Sequence, residues 1–251
     1  DIRYALAEVC FLYGDKLSHS FFSSNQKRAT DYFLLSAVYA YLYLLDDMVE
    51  PPPTAFDQRF RTACDLYNFS LWRALSPGNG GSIQFPEGRR DLPVGSLSLS
   101  FDLSKLPSEF AGFDQFVSSP GYAVRGITVR NRTPGMGLPL IALKKKVDAA
   151  LFEEQSVPVT AFLRLQGGLQ DVSAGTASAS LELYSASDAV AVTVNNTPVP
   201  LETDTTTPTA YTLEHESLLW DYGMKAFLGD LATVPNKLYS MQPYQPGRIP
   251  V

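Results

Sequence analysis

The hydrophobic period of this chain changes near Gly81, and that change limits the fold more than any other feature of the sequence. Before it, apolar residues recur every three or four positions, the spacing of an amphipathic helix. After it, they alternate with polar residues, the spacing of a half-buried strand. Ser76-Pro77-Gly78-Asn79-Gly80-Gly81 marks the switch, because such a run cannot continue a helix. Helices followed by strands point to the α+β class.

Three helices are expected in residues 1–80. The first covers residues 2–13, with Ile2, Leu6, Val9, Cys10 and Tyr13 on its apolar face and a stop at Gly14-Asp15. The second covers residues 26–48. Ser23 and Gln26 form a capping box at its start, and Pro51-Pro52-Pro53 ends it. It is apolar on most sides, so it is expected to be buried between the others. The third covers residues 55–75, capped by Thr54 with Asp57, with a stripe through Phe56, Phe60, Ala63, Tyr67, Leu71 and Ala74. Short connections predict an antiparallel three-helix bundle.

Residues 81–212 are expected to form a β-rich domain, mainly antiparallel, a sandwich or an open barrel. Alternation marks Leu97, Leu99 and Phe101, then Val159, Ala161, Leu163 and Leu165. Tyr122 and Val124, then Ile127 and Val129, alternate with a bulge at Gly126. Ala179, Leu181 and Leu183 are expected to pair with Val190, Val192 and Val194 as a hairpin, and Asn195-Asn196-Thr197-Pro198 turns the chain again. A short helix is expected at residues 108–117. Helical spacing returns over residues 213–228, and a helix within 213–237 is expected to pack back on the bundle. Residues 238–251 hold Pro243, Pro246 and Pro250, which fix an extended path. That tail is apolar, and it reads as a connector toward a sheet outside this chain.

Composition narrows the function classes. The chain has 251 residues, 45% apolar and 12% aromatic, with a net charge of −6, which suits a packed body and gives nucleic-acid binding no electrostatic support. Residues 33–45 form the longest apolar run, thirteen residues, where a membrane span needs about 20. Lys144-Lys145-Lys146 reads as a solvated strand end or turn. Cys10 and Cys64 read as buried thiols, although an exported chain leaves a disulfide between helices open. Two cysteines with His19 and His215 lack the paired spacing of a zinc site.

Asp46-Asp47-Met48-Val49-Glu50 resembles the magnesium- and diphosphate-binding run of isoprenoid synthases, but strands follow it, and its position favours a polar helix end. Gly78-Asn79-Gly80-Gly81-Ser82 lacks the lysine of a phosphate loop, and Gly135-Met136-Gly137 reads as a turn. No G-x-S-x-G elbow occurs. His215, within Glu214-His215-Glu216, and His19 read as surface or loop residues. Asn68-Phe69-Ser70, Asn131-Arg132-Thr133 and Asn195-Asn196-Thr197 match the glycosylation triplet, a pattern common by chance.

Several stretches together resemble a known family. They include the run from Arg61 to Asn68, Val124-Arg125-Gly126, Arg130-Asn131-Arg132, the run from Gly135 to Leu140, the run from Pro158 to Leu165, Val199-Pro200-Leu201-Glu202 and the run from Gln242 to Val251. In this order they resemble the N-terminal region of bacterial two-part α/β-hydrolases, lipase- or esterase-like and often exported or lipoprotein-like. The resemblance implies a non-catalytic N-terminal portion, with the parent's serine and oxyanion motif downstream, and a periplasmic, cell-envelope or secreted location. It implies no catalytic, cofactor or metal residue here. The expected partner is the hydrolase domain, contacted through Tyr239, Tyr244, Arg248, Ile249 and Val251. The alternative is an independent β-sandwich module binding carbohydrate, lipid or protein, which requires an exposed aromatic patch on the sheet.

Overall fold

The computed structural model describes residues 2–20, 22–46, 53–54, 56–76, 81–110, 112–124, 129–145 and 154–215. It is an α+β fold, with an N-terminal helical layer, a curled six-stranded sheet forming a half-barrel, and a later helix.

The helical layer consists of α1 (Ile2–Ser18), α2 (Ser23–Leu45) and α3 (Gln58–Leu75). Helix α1 runs through Gly14 instead of ending there. A Cβ at Gly14 would lie 3.1 Å from the Phe33 ring, so the missing side chain lets α2 approach closely. The buried face of α1 is Ala7, Cys10 and Gly14, a narrow stripe of small residues. Helix α2 begins at Ser23 with Phe22 at the N-cap position, so Ser23 lies inside the helix and not at the cap where it was expected. Helix α3 begins three residues later than expected. Asp57 is its cap and accepts a hydrogen bond from the Arg59 amide at 2.9 Å. A buried hydroxyl relay joins all three helices: Ser70 donates to Ser36 at 2.9 Å, and Ser36 donates to the Ala7 carbonyl at 2.8 Å. Each hydroxyl is satisfied, which is what permits a polar chain inside an apolar layer.

The sheet is built from β1 (Gly88–Leu92), β2 (Gly95–Asp102), β3 (Gln115–Ser118), β5 (Leu138–Lys145), β6 (Glu154–Gln166) and β7 (Ser178–Ser185), in the order β1-β2-β7-β6-β5-β3. Four of its five pairings are antiparallel and β2–β7 is parallel. Outside it, β4 (Arg132–Thr133) pairs with β10 (Thr203–Asp204), and β8 (Ala191–Val194) pairs with β9 (Thr197–Pro200). Helix α4 (Leu169–Ala174) connects β6 to β7, and α5 (Thr206–His215) follows β10.

Three expectations need correction. The hairpin between the 179–183 and 190–194 segments does not form. Both edges of β7 are taken by β2 and β6, so β8 pairs with β9 instead. The turn between β8 and β9 is the expected one: Asn195 and Asn196 both have positive φ, 47° and 60°, as a two-residue type I′ turn requires. The helix expected at residues 108–117 shrinks to a 3-10 turn, Ser108–Phe110, and the chain then enters β3. Gly112, at φ +92°, separates the two conformations. The strand read from Tyr122 is a turn at that residue, whose amide donates to the Ser119 carbonyl at 3.2 Å, and residues 125–128 lie outside the described residues.

Helix α5 starts seven residues before the expected position. Asp204 accepts from the Thr206 and Thr207 amides, each at 3.0 Å, and from the Thr207 hydroxyl at 2.5 Å. The described part of this helix packs on β5 and β6. Its expected continuation, the bundle contact within 213–237 and the connector at 238–251 lie outside the described residues beyond His215. Buried residues of the helices and the sheet form one continuous hydrophobic cluster. Among the described residues, no helix is long and apolar enough to cross a membrane.

Candidate functional site

The helical layer meets the strands through two side chains of α3. Strand β5 pairs with β6 only as far as Ala161, so the next residues of β6 have an open edge on that side. The Tyr67 hydroxyl fills it, accepting from the Leu163 amide at 2.8 Å and donating to the Leu163 carbonyl at 2.9 Å. A single phenol thus stands in for a missing strand. Its fully buried ring lies against Tyr41 and Phe162, and burial drives its pKa well above the usual phenol range.

The next residue, Asn68, spends its whole amide on distant chain. Its Nδ2 donates to the Gly135 carbonyl at 2.9 Å and to the Glu202 carboxylate, and its Oδ1 accepts from the Gly137 amide at 2.7 Å. Glu202 is 2% exposed, and it also accepts from Arg132, through Nε at 2.7 Å and through Nη2. Burial raises the Glu202 pKa, and Arg132 pulls against that rise. A Cβ at Gly135 would lie 2.4 Å from the Leu201 carbonyl carbon, so only glycine fits where this loop crosses the β9–β10 connection. The backbone completes the weld, with the Met136 amide donating to Pro200 O at 2.8 Å and the Glu202 amide to Met136 O at 3.0 Å.

Above this welded floor lies a cavity of about 620 Å³. Its walls are the end of α2 (Leu44, Leu45), the first half of α3 (Phe60, Cys64), the loop at Met136, and the β8–β9 hairpin, which contributes Val194 and Val199. The hairpin is pinned across the space by Asn195 Nδ2, which donates to Leu45 O at 3.1 Å, one of the carbonyls that a helix C-terminus leaves unpaired. A dry apolar void costs about 24 cal/mol per Å³. At that rate an empty space of 620 Å³ would cost about 15 kcal/mol, as much as a whole domain's stability. The cavity is therefore an accessible space that solvent or a ligand fills, within the roughly 300–1,000 Å³ range of ligand pockets.

The residues singled out in the sequence fall at several places. Asp46 lines the cavity rim and pairs with Arg3 at 3.0 Å, and Asp47 and Glu50 lie outside the described residues. Among the described residues, no cluster of three or more His, Cys, Asp or Glu could hold a metal ion. Gly78, Asn79 and Gly80 are not described. His19 is exposed, with Nε2 3.6 Å from Asp15 in the same helical region. His215 Nδ1 lies 2.9 Å from the Tyr211 carbonyl, and its ring stacks on Tyr211. Cys10 and Cys64 are free and buried, and burial pushes each thiol up to about 11, which disfavours the nucleophilic thiolate. Lys144 lies over the Phe113 ring. Tyr239, Tyr244, Arg248, Ile249 and Val251 lie outside the described residues.

Sequence reading passed over Asn68, Asn195 and Glu202 as parts of a site. Asn68 and Asn195 each carried a glycosylation triplet, and Asn195 a turn besides. Asn68 is buried, which removes it as a surface acceptor. No local spacing could have marked them, because their partners lie 67 to 150 residues away. Four separate stretches of the chain nevertheless converge here, through Cys64 and Asn68, Arg132, Gly135 and Met136, and Val199 and Glu202.

A comparison with protein-family models, with curated proteins and with solved structures finds no match to this chain.

Proposed function

We propose that this chain is the non-catalytic N-terminal portion of a lipase- or esterase-like serine α/β-hydrolase, and that it packs on and positions the catalytic domain. The observation that carries this reading is the outer face of α1. Ile2, Val9 and Leu12, spaced along one side of the helix, are 78%, 60% and 67% exposed, while Tyr13 beside them sets its ring edge against Tyr32 of α2. The opposite face, Ala7, Cys10 and Gly14, is the one that packs on the rest of the layer. An apolar helix face turned outward is the signature of a surface that another body covers. Convergence of the resemblance-bearing stretches on the Asn68–Glu202 weld adds support, since segments that resemble a family separately also work together in three dimensions.

The alternative, a sheet-borne binding module, has less behind it. Ser98, Ser100 and Gln166 are exposed on the sheet, and Ser178 and Ser180 are half-buried beside them. The neighbouring aromatic Tyr184 is engaged, donating to Glu182 at 2.6 Å. The exposed aromatics among the described residues, Tyr13, Phe22, Phe56 and Phe69, belong to the helical layer and its flanking segments.

The chain alone should not turn over short-chain p-nitrophenyl esters, and a serine-directed fluorophosphonate should not label it. Turnover abolished by the phosphonate would overturn the proposal. The same reading expects the encoding gene to continue in frame into a hydrolase sheet with a G-x-S-x-G serine. It also expects Val9→Glu with Leu12→Glu to weaken association of the two parts.

A further inference from the structure

We infer that the cavity between the α2–α3 layer and the β8–β9 hairpin is a binding site for an uncharged, apolar small molecule. This goes beyond the hydrolase reading and does not depend on it.

The walls are held open before any ligand arrives. The hairpin is fixed at its tip by the Asn195 bond to Leu45 O and at its base by the Met136 bond to Pro200 O. Below, Asn68, Glu202 and Arg132 lock the loop that carries Met136. Pro134, Pro198 and Pro200 stiffen the rim. A cavity braced at three points cannot collapse to recover packing, and a preformed site binds without an ordering cost.

Charge decides the class of ligand. Among the described residues, two charged side chains line the cavity, Asp46 and Arg61. Asp46 is held by Arg3 at 3.0 Å, and Arg61 is paired with Asp65 at 3.2 Å. Glu202 sits beneath the floor with its carboxylate bonded to Asn68 and Arg132. The Cys64 thiol on the wall is protonated at neutral pH. An ion entering this space would shed its hydration for walls of Leu44, Phe60, Met136 and Val199, where the charged groups among the described residues are already paired. A neutral hydrocarbon or aromatic body loses nothing of that kind.

The test uses two fluorophores built on the same ring system, neutral N-phenyl-1-naphthylamine and its anionic sulfonate analogue, titrated into the full chain. The expected result is saturable enhancement with the neutral probe at one site, at least ten-fold tighter than with the sulfonate. Pro198→Trp and Thr197→Trp, both at exposed hairpin positions on the cavity wall, should each weaken the neutral probe at least ten-fold. Their melting temperatures should stay near that of the parent. Val9→Glu with Leu12→Glu, on the outer face of α1, should leave the probe's affinity unchanged. No enhancement, equal affinity for the sulfonate, or binding that resists both tryptophans and falls with the α1 variant would each overturn the proposal. Esterase activity in the chain would sink the hydrolase reading and leave this one standing.

Discussion

Asn68 and Tyr67 are adjacent in sequence and serve different partners, and each fixes a contact that no other residue duplicates. Removing the Asn68 amide leaves the Gly137 amide, the Gly135 carbonyl and part of the Glu202 carboxylate short of partners. Asn68→Ala is expected to cost about 3 kcal/mol, read as a fall in the urea midpoint, since each buried group left unmade costs about 1–3 kcal/mol. Tyr67→Phe keeps the packing and orphans both Leu163 groups, at about 1–3 kcal/mol. Glu202 adds a pH dependence with a definite sign. Its carboxyl is harder to ionise when folded than when unfolded, because burial outweighs the help of Arg132. Its contribution is then fully present below the ordinary glutamate range and is lost as pH rises through the folded value. The melting temperature of the wild type relative to Glu202→Gln should therefore decline as pH rises above the ordinary glutamate range. A relative stability that climbs with pH would mean that Arg132 dominates.

At the scale of elements, turns were more legible than caps or pairings. Asn195-Asn196 reads as a turn because asparagine tolerates the left-handed region, and both residues occupy it. Asn195→Ala should cost about 1–2 kcal/mol through the backbone conformation alone. It should also free the hairpin from Leu45, visible as faster amide exchange in β8 and β9. Alternation of apolar residues marked β2, β6 and β7, although β6 is buried on both faces from Val159 to Leu163. Alternation names no neighbour, and so the partner of β7 was misread: β2, far back in the chain, takes its free edge in parallel. The loop at Gly135 looked like an ordinary turn. Its glycine is required by backbone from the Leu201 region, and Gly135→Ala is expected to abolish soluble folded protein, with a fall in expression and a lost thermal transition as the readout.

For the whole molecule, two surfaces separate fold from function. Substitutions on the outer face of α1 remove no internal contact of consequence. Val9→Glu and Leu12→Glu should each shift the chain's own stability by no more than about 0.5 kcal/mol, measured by denaturant unfolding. A larger loss would mean that this face already packs within the chain. The sequence by itself determined the α+β class, the three helices, the alternating strands and the turn at Asn195-Asn196. These are local features, written in period and in the φ preferences of single residues. Tertiary structure decided which strand lies beside which, which face of α1 turns outward, and that Asn68, Arg132, Gly135 and Glu202 share one weld beneath a cavity. Those outcomes depend on desolvation and hydrogen-bond completion between segments up to 134 residues apart, and no short window of sequence contains both partners.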